Sequence, residues 1–310
     1  MISRRVLREK VVKEVYACIQ NRKDDRKSAE KELVHAIDRA YHIYIMMLSI
    51  LPEIQRHAEM VVDNHLHKMI PTEEDLHPNL RFVQNRIIRS LSTSENIAKA
   101  MKQYRLSWGG SEDLIRILYQ KLTESELYTS YMNNPQEISE KDFVKKVYME
   151  FLQYSLDLEE YLESKSIFWI DDLGYALLMA ARTATTCKAN QDFSLMEEFT
   201  EADDLSFAKR LFLKAIESYE QSRVIMKEFS ENWDVERIAL MDSVILSVAM
   251  AELKNFPEIP VKVTLNEYID IAKNYSGERS STFVNGMLDK FVAKFSKEGV
   301  ILKSRVNQKA

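Results

Sequence analysis

Apolar residues recur every three to four positions along most of the chain and show no convincing period-two alternation, the pattern of packed helices rather than strands. Leu7, Val11, Val15 and Cys18 share one face of a helix predicted over about 4–20, with Ser3 as its cap and Arg5, Arg8 and Lys13 on the opposite side. NRKDDRKS (21–28) reads as a linker ending in a second cap, Ser28. A long helix should follow to Leu51, be interrupted by Pro52 and resume to about Met69. IPTEEDLHP (70–78), with a proline near each end, reads as a loop. Ser92 with Glu95, Thr123 with Glu126 and Thr264 with Glu267 have the spacing of capping boxes and predict helix starts. NNP (133–135) and FPEIP (256–260) are breakers, WGGS (108–111) is a helix-joining turn, and 139–255 is almost continuously helical in pattern. The expected fold class is all-α.

An internal echo runs through this pattern. KDFVKKVYMEFL (141–152) matches LSFAKRLFLKAI (205–216), pairing Phe143 with Phe207 and Tyr148 with Phe212. Trp169 and Trp233 follow at equal distances, so 141–187 and 205–251 are expected to be related helical hairpins.

Composition agrees with helices. Six Gly and six Pro in 310 residues are too few for a turn-rich β architecture, and 45% hydrophobic residues are enough for a real core. Cys18 and Cys187 form no CxxC and are expected to be free thiols in a reducing compartment. The N-terminus lacks the apolar stretch of a secretory signal, and IYIMMLSIL (43–51) is too short to span a bilayer. A soluble, cytoplasmic protein without a membrane partner is expected.

The net charge of −5 is uneven: residues 1–27 carry +5 and the remainder −10. A basic arm on an acidic body points either to a localised polyanion contact or to a solvated helix face with a charged linker. Glu32-x-x-His35 and Glu74-x-x-His77 have the spacing of di-iron bundles, but the second pair lies in the 70–78 loop, and no metal site is expected. WGGS lacks the Lys-Ser/Thr of a phosphate loop, and neither a nucleophile elbow nor a zincin motif occurs. The reading is a non-enzyme with no cofactor and no small-molecule substrate. One residue stands out: Gly286 sits inside an apolar helical stripe, where glycine costs about 1 kcal/mol relative to alanine.

The last third carries a family pattern. DSVILSVAMAEL (242–253), an Ile-Pro at 259–260, LNEYIDIAK (265–273) and FVNGMLDK (283–290) together resemble the NusB family of transcription antitermination factors. FAKRLFLKAI (207–216), Trp233 and the opening RRVLREKVVKEVY (4–16) fit the same family. The resemblance implies a NusB-like helical bundle with added helical hairpins: a basic first helix at 1–20, an inserted helical region at 21–200, the C-terminal half of the bundle at 201–296 and a basic tail at 297–310.

By that resemblance the protein is a non-enzymatic antitermination factor. It would bind boxA-type single-stranded RNA with a small-subunit ribosomal protein and join the elongating RNA polymerase complex. Arg4, Arg5 and Arg8 fall on the family's basic helix and are assigned to phosphates. Tyr16 and Phe283 match RNA-adjacent aromatics, with a half-buried helix tyrosine and plain core packing as the respective alternatives. Asp242 matches a position facing the ribosomal partner, or else forms a surface pair on its own helix. Asn285 and Gly286 are read as structural, the glycine admitting a neighbouring helix closer than a Cβ allows, and Asn266 and Glu267 belong to the same motif framework.

Ser247 and Ala251 depart from the family's usual arginine and tyrosine on the helix tied to partner docking. The alternative function is a protein-interaction scaffold with a NusB-like body that has lost RNA binding. An RNA-methyltransferase module is disfavoured, since no Gly-rich cofactor loop is present.

Overall fold

The computed structural model describes residues 1–22, 25–186, 192–229 and 238–301, so Cys187 and Trp233 lie outside the described residues. Its elements are α1 (Arg4–Gln20), α2 (Arg26–Leu66), α3 (Glu73–Leu76), α4 (Arg86–Thr93), α5 (Glu95–Gln103), α6 (Glu112–Glu124) and α7 (Glu126–Asn133). They continue as α8 (Glu140–Lys146), α9 (Leu156–Lys165), α10 (Leu173–Thr186), α11 (Asp204–Phe229), α12 (Leu240–Asn255), α13 (Val261–Tyr275) and α14 (Glu278–Lys297). The fold is all-α. Among the described residues the β-type pairing is a single isolated bridge, Ile2 to Phe199.

The chain divides into two compact units, one of residues 2–37 and 199–310, the other of Met1 and 38–198, with α2 contributing to both. In the first unit α12 is the central helix. Every residue from Asp242 to Leu253 is buried, and α12 packs on α1, α11, α13 and α14. A helix apolar nearly all round has no solvent face to offer, so neighbours cover every side. Val284, Met287, Leu288 and Phe291 of α14 point into this core, as their spacing predicts.

In the second unit, aromatic residues tie helices to one another. Tyr131 stacks on Phe143 with centroids 3.9 Å apart, and Trp108 stacks on Tyr161 at 5.9 Å. The Tyr148 hydroxyl donates to the Met47 carbonyl at 3.0 Å, and the Trp108 indole N–H donates to Ser49 Oγ at 2.9 Å. Each polar tip is thereby satisfied while its ring is buried.

Several local expectations are corrected. Asp25, not Ser28, caps α2, its Oδ1 accepting from the amides of Lys27 and Ser28. Pro52 lies inside a continuous α2, where Leu48 loses its usual amide partner without the helix ending. The 70–78 loop contains α3, capped by a reciprocal Thr72–Asp75 box. Ser94 and Ser125 cap α5 and α7 in place of Ser92 and Thr123, two residues later in each case. Thr264 lies within α13, which starts at Val261 after Pro260, and its hydroxyl donates to Glu252 at 2.8 Å. The 141–152 and 205–216 echo keeps its buried aromatics, but a π-turn at Val147–Phe151 breaks the first copy while α11 runs straight through the second.

Candidate nucleic-acid interface

Helix α1 has two chemically different faces. Arg4, Arg8, Val11 and Val15 share the inward one, by a spacing of four, three and four residues. Arg5, Glu9, Lys13 and Tyr16 share the outward one. This division, rather than charge alone, decides what each cation does.

Arg8 is a core residue. Its side chain is 4% exposed, and Nε and Nη2 donate to the two oxygens of Glu252 at 2.8 and 3.1 Å. Glu252 also accepts from the hydroxyls of Thr264 and Tyr268 at 2.8 and 3.1 Å, so one buried carboxylate joins α1, α12 and α13. Burial by itself would lower the Arg8 pKa, but the hydrogen bonds and charge of Glu252 outweigh it and hold it above its ordinary value. Burial first, and then the Glu252 charge, push the Tyr268 phenol well above its usual range. The assignment of Arg8 to phosphate is therefore corrected: its donors are spent inside the protein.

Arg4 is also engaged. Its Nε donates to Asp204 at 3.0 Å and its Nη2 to Asp203 at 2.9 Å, while the guanidinium lies 4.9 Å from the Phe207 ring centre. Burial opposes its charge, and the two aspartates more than restore it.

The outward face runs along α13. Arg5, with a side chain 45% exposed, reaches Asp270 at 3.3 Å and Glu9 at 3.8 Å. The Tyr275 hydroxyl donates to Glu9 at 3.5 Å, and Lys13 Nζ stands 4.8 Å from the centre of the Tyr275 ring. Arg5 meets α13 at Asp270, and Lys13 meets its last residue, Tyr275. Lys13 thus comes to the α13–α14 turn, where Gly277 adopts φ +95°. Tyr16, one turn beyond Lys13, is half-buried. Phe283 on α14 is half-buried as well rather than fully enclosed.

The other motif residues divide by face. Asn285 and Gly286 are exposed, and a Cβ built on Gly286 meets nothing within 4 Å, which corrects its reading as a close-approach glycine. It faces solvent while Val284 and Met287 beside it face the core. Asn266 is exposed on α13; Glu267 is half-buried with one oxygen 4.0 Å from Arg8. Asp242 is 5% exposed, with Oδ1 buried and lacking a hydrogen-bond partner among the described residues, so it presents no surface carboxylate for a docking protein. Among the described residues there is no group of three or more His, Cys, Asp or Glu placed to hold a metal ion. None of the described helices is long and apolar enough to cross a membrane.

Sequence reasoning missed Lys13 and Tyr275 as surface partners, and Asp203, Asp204 and Glu252 as neutralising acids. The four-residue spacing from Arg5 through Glu9 to Lys13 was the available signal for Lys13. Formal charge also follows the units: +3 over 2–37 and 199–310, and −8 over 38–198.

A NusB family model matches residues 175–293. The chain is 39% identical over 98 residues to the transcription antitermination protein NusB of Salinibacter ruber, a match covering 32% of this chain and 61% of that protein. It is 35% identical over 127 residues to the protein of that name in Myxococcus xanthus, covering 40% of this chain and 89% of the relative. With that of Clostridium botulinum it shares 39% identity over 89 residues, 29% of this chain and 62% of the relative. The chain thus spans about three fifths of the Salinibacter and Clostridium proteins and most of the Myxococcus one. No solved structure matches at a significant level. With a family model over its C-terminal helices and a relative aligned over nearly its whole length, this chain belongs to the NusB family.

Proposed function

We propose that this protein is a transcription antitermination factor that binds boxA-type single-stranded RNA together with a small-subunit ribosomal protein in the elongating RNA polymerase complex. Its relatives are named as antitermination proteins, and the arrangement of α1, α13 and α14 suits a non-catalytic binding role. One observation carries the RNA reading: Lys13 stands over the Tyr275 ring beside the turn into α14, the helix bearing Phe283.

In this reading Arg5 and Lys13 contact phosphates, and the half-buried Tyr16 and Phe283 stack on unpaired bases. Stacking of one base contributes about 1–3 kcal/mol. Arg4 acts through packing, holding α1 to the start of α11 so that the outward face keeps its orientation. Fluorescence anisotropy of the full chain with a boxA-type oligoribonucleotide and a scrambled one tests the proposal. Two phosphate contacts give a log–log salt slope of about −1.4 for a single strand. Preference for the boxA-type strand supports the reading. Equal binding to both strands, or none with the ribosomal protein present, overturns it.

The scaffold alternative is favoured by one specific finding, that Arg4 and Arg8 are already neutralised by carboxylates of their own chain. Under it, an Arg5→Glu, Lys13→Glu double variant would retain function in cells.

A further inference from the structure

The unit formed by Met1 and 38–198 carries a site of its own. A cleft of about 690 Å³ opens between the middle of α2 and the kink at Ser94 that joins α4 to α5. This volume lies within the range of small-ligand pockets. Pro52, Ile97, Ala98 and Met101 supply an apolar wall, and Arg56 and Arg89 stand at the rim.

The surrounding charge is at odds with its unit. Residues 81–105 hold six Lys or Arg against Glu95 alone, a local +5 within a unit of −8. Three of the six are used internally: Arg81 donates to the Ile138 carbonyl at 2.7 Å, Arg86 pairs with Glu140 at 3.0 Å, and Lys99 pairs with Glu95 at 3.1 Å. Arg89 and Lys102 are exposed, and neither side chain has an ion pair or hydrogen bond among the described residues. Lys102 follows Ala98 of the cleft wall by one helical turn, so it extends the cationic rim along α5.

We propose that this cleft binds a single-stranded ribonucleotide segment, with phosphates at Arg89 and Lys102 and a base against the Pro52–Met101 wall. The inference rests on the RNA-binding reading above and adds a second contact surface to it. Two carboxylates decide between nucleic acid and an acidic peptide. Glu53, paired with Arg56, and Glu59 also line the cleft. Carboxylates beside a cationic rim accept hydrogen bonds from the amino groups on base edges. The ionised side chains of an acidic peptide have no hydrogen to give them, whereas the amino-bearing bases do. Ser92 and Thr93, also in the lining, donate their hydroxyls to the Arg89 carbonyl and keep oxygen lone pairs able to accept from a ribose hydroxyl.

The test uses the full chain with a single-stranded oligoribonucleotide carrying 4-thiouridine, photocrosslinked and mapped by peptide mass spectrometry. The proposal expects crosslinks within 89–102 as well as within α1 or α14. With these two further phosphate contacts the expected slope of the full chain steepens from about −1.4 to about −2.8, and an Arg89→Glu, Lys102→Glu variant should return it to about −1.4. An Arg89→Gln, Lys102→Gln variant with an unchanged melting curve serves if charge reversal disturbs folding, and the same shallowing is expected. Crosslinks confined to α1 and α14, with an unaltered slope, overturn this inference while leaving the RNA reading intact. No crosslink anywhere overturns both. Binding of an acidic peptide probe at the cleft, with no oligoribonucleotide bound there, likewise overturns it.

Discussion

Arg8 and Glu252, 244 positions apart in the chain, form a two-point hydrogen-bonded ion pair in the core. Thr264 and Tyr268 complete the coordination of the carboxylate, so its lone pairs are satisfied without water. Such a pair contributes little net stability compared with an apolar isostere, yet breaking it strands a buried charge.

Removing one partner should therefore be severe. Arg8→Ala is expected to destabilise the protein by about 3–5 kcal/mol, read as a lower urea midpoint at constant m-value. Arg8→Met combined with Glu252→Leu should recover part of that loss, because no buried charge remains, although the Thr264 and Tyr268 hydroxyls lose their acceptor. Full stability in Arg8→Ala alone would contradict the buried pair.

Gly286 makes the opposite case. It lies in an exposed turn of α14 with open space where a Cβ would go. Gly286→Ala should raise stability by up to about 1 kcal/mol, through helix propensity and a less mobile unfolded chain. Thermal unfolding checks it. A lower melting temperature would restore the close-approach reading.

The two faces of α1 should separate binding from folding. Lys13→Glu is expected to weaken RNA binding and flatten its salt dependence, with little change in the unfolding midpoint. Arg4→Ala should instead lower the midpoint, since it leaves Asp204, fully buried, without its guanidinium. Anisotropy and urea unfolding on both variants make the comparison. Equal effects of the two substitutions on RNA affinity would argue against the division of faces.

Asp75 ties the α2–α3 turn together. Hydrogen bonding from Lys68, then from the Thr72 amide, lowers its carboxyl from an ordinary 3.8 to about 2. A carboxyl with a depressed folded-state pKa stabilises the folded form above its unfolded pKa. That contribution is lost as pH falls through the folded value. Ordering of the 68–77 segment should accordingly hold above about pH 4 and fade between 4 and 2. A carboxyl titration by NMR should give a midpoint near 2, and Lys68→Ala should move it up towards 3.8. An unshifted midpoint in that variant would remove Lys68 as the cause.

Periodicity and punctuation in the sequence determined the all-helical class, the span of α1 and the inward stripe of Val284, Met287, Leu288 and Phe291. These are local properties: a 3.6-residue repeat states which side of a helix must leave water, whatever covers it. The family pattern was legible for the same reason, being carried by contiguous runs such as FVNGMLDK. Capping was legible only in kind, because neighbouring Ser, Thr and Asp compete for one helix end, and Ser94, Ser125 and Asp25 prevailed through their backbone conformation and amide bonds. Tertiary structure alone decided that Arg8 goes inward to Glu252 while Lys13 goes outward to Tyr275, and that Pro52 bends no chain away from α2. A charge is buried or exposed according to the partner it meets, and that partner stood more than two hundred residues away, beyond the reach of any local pattern.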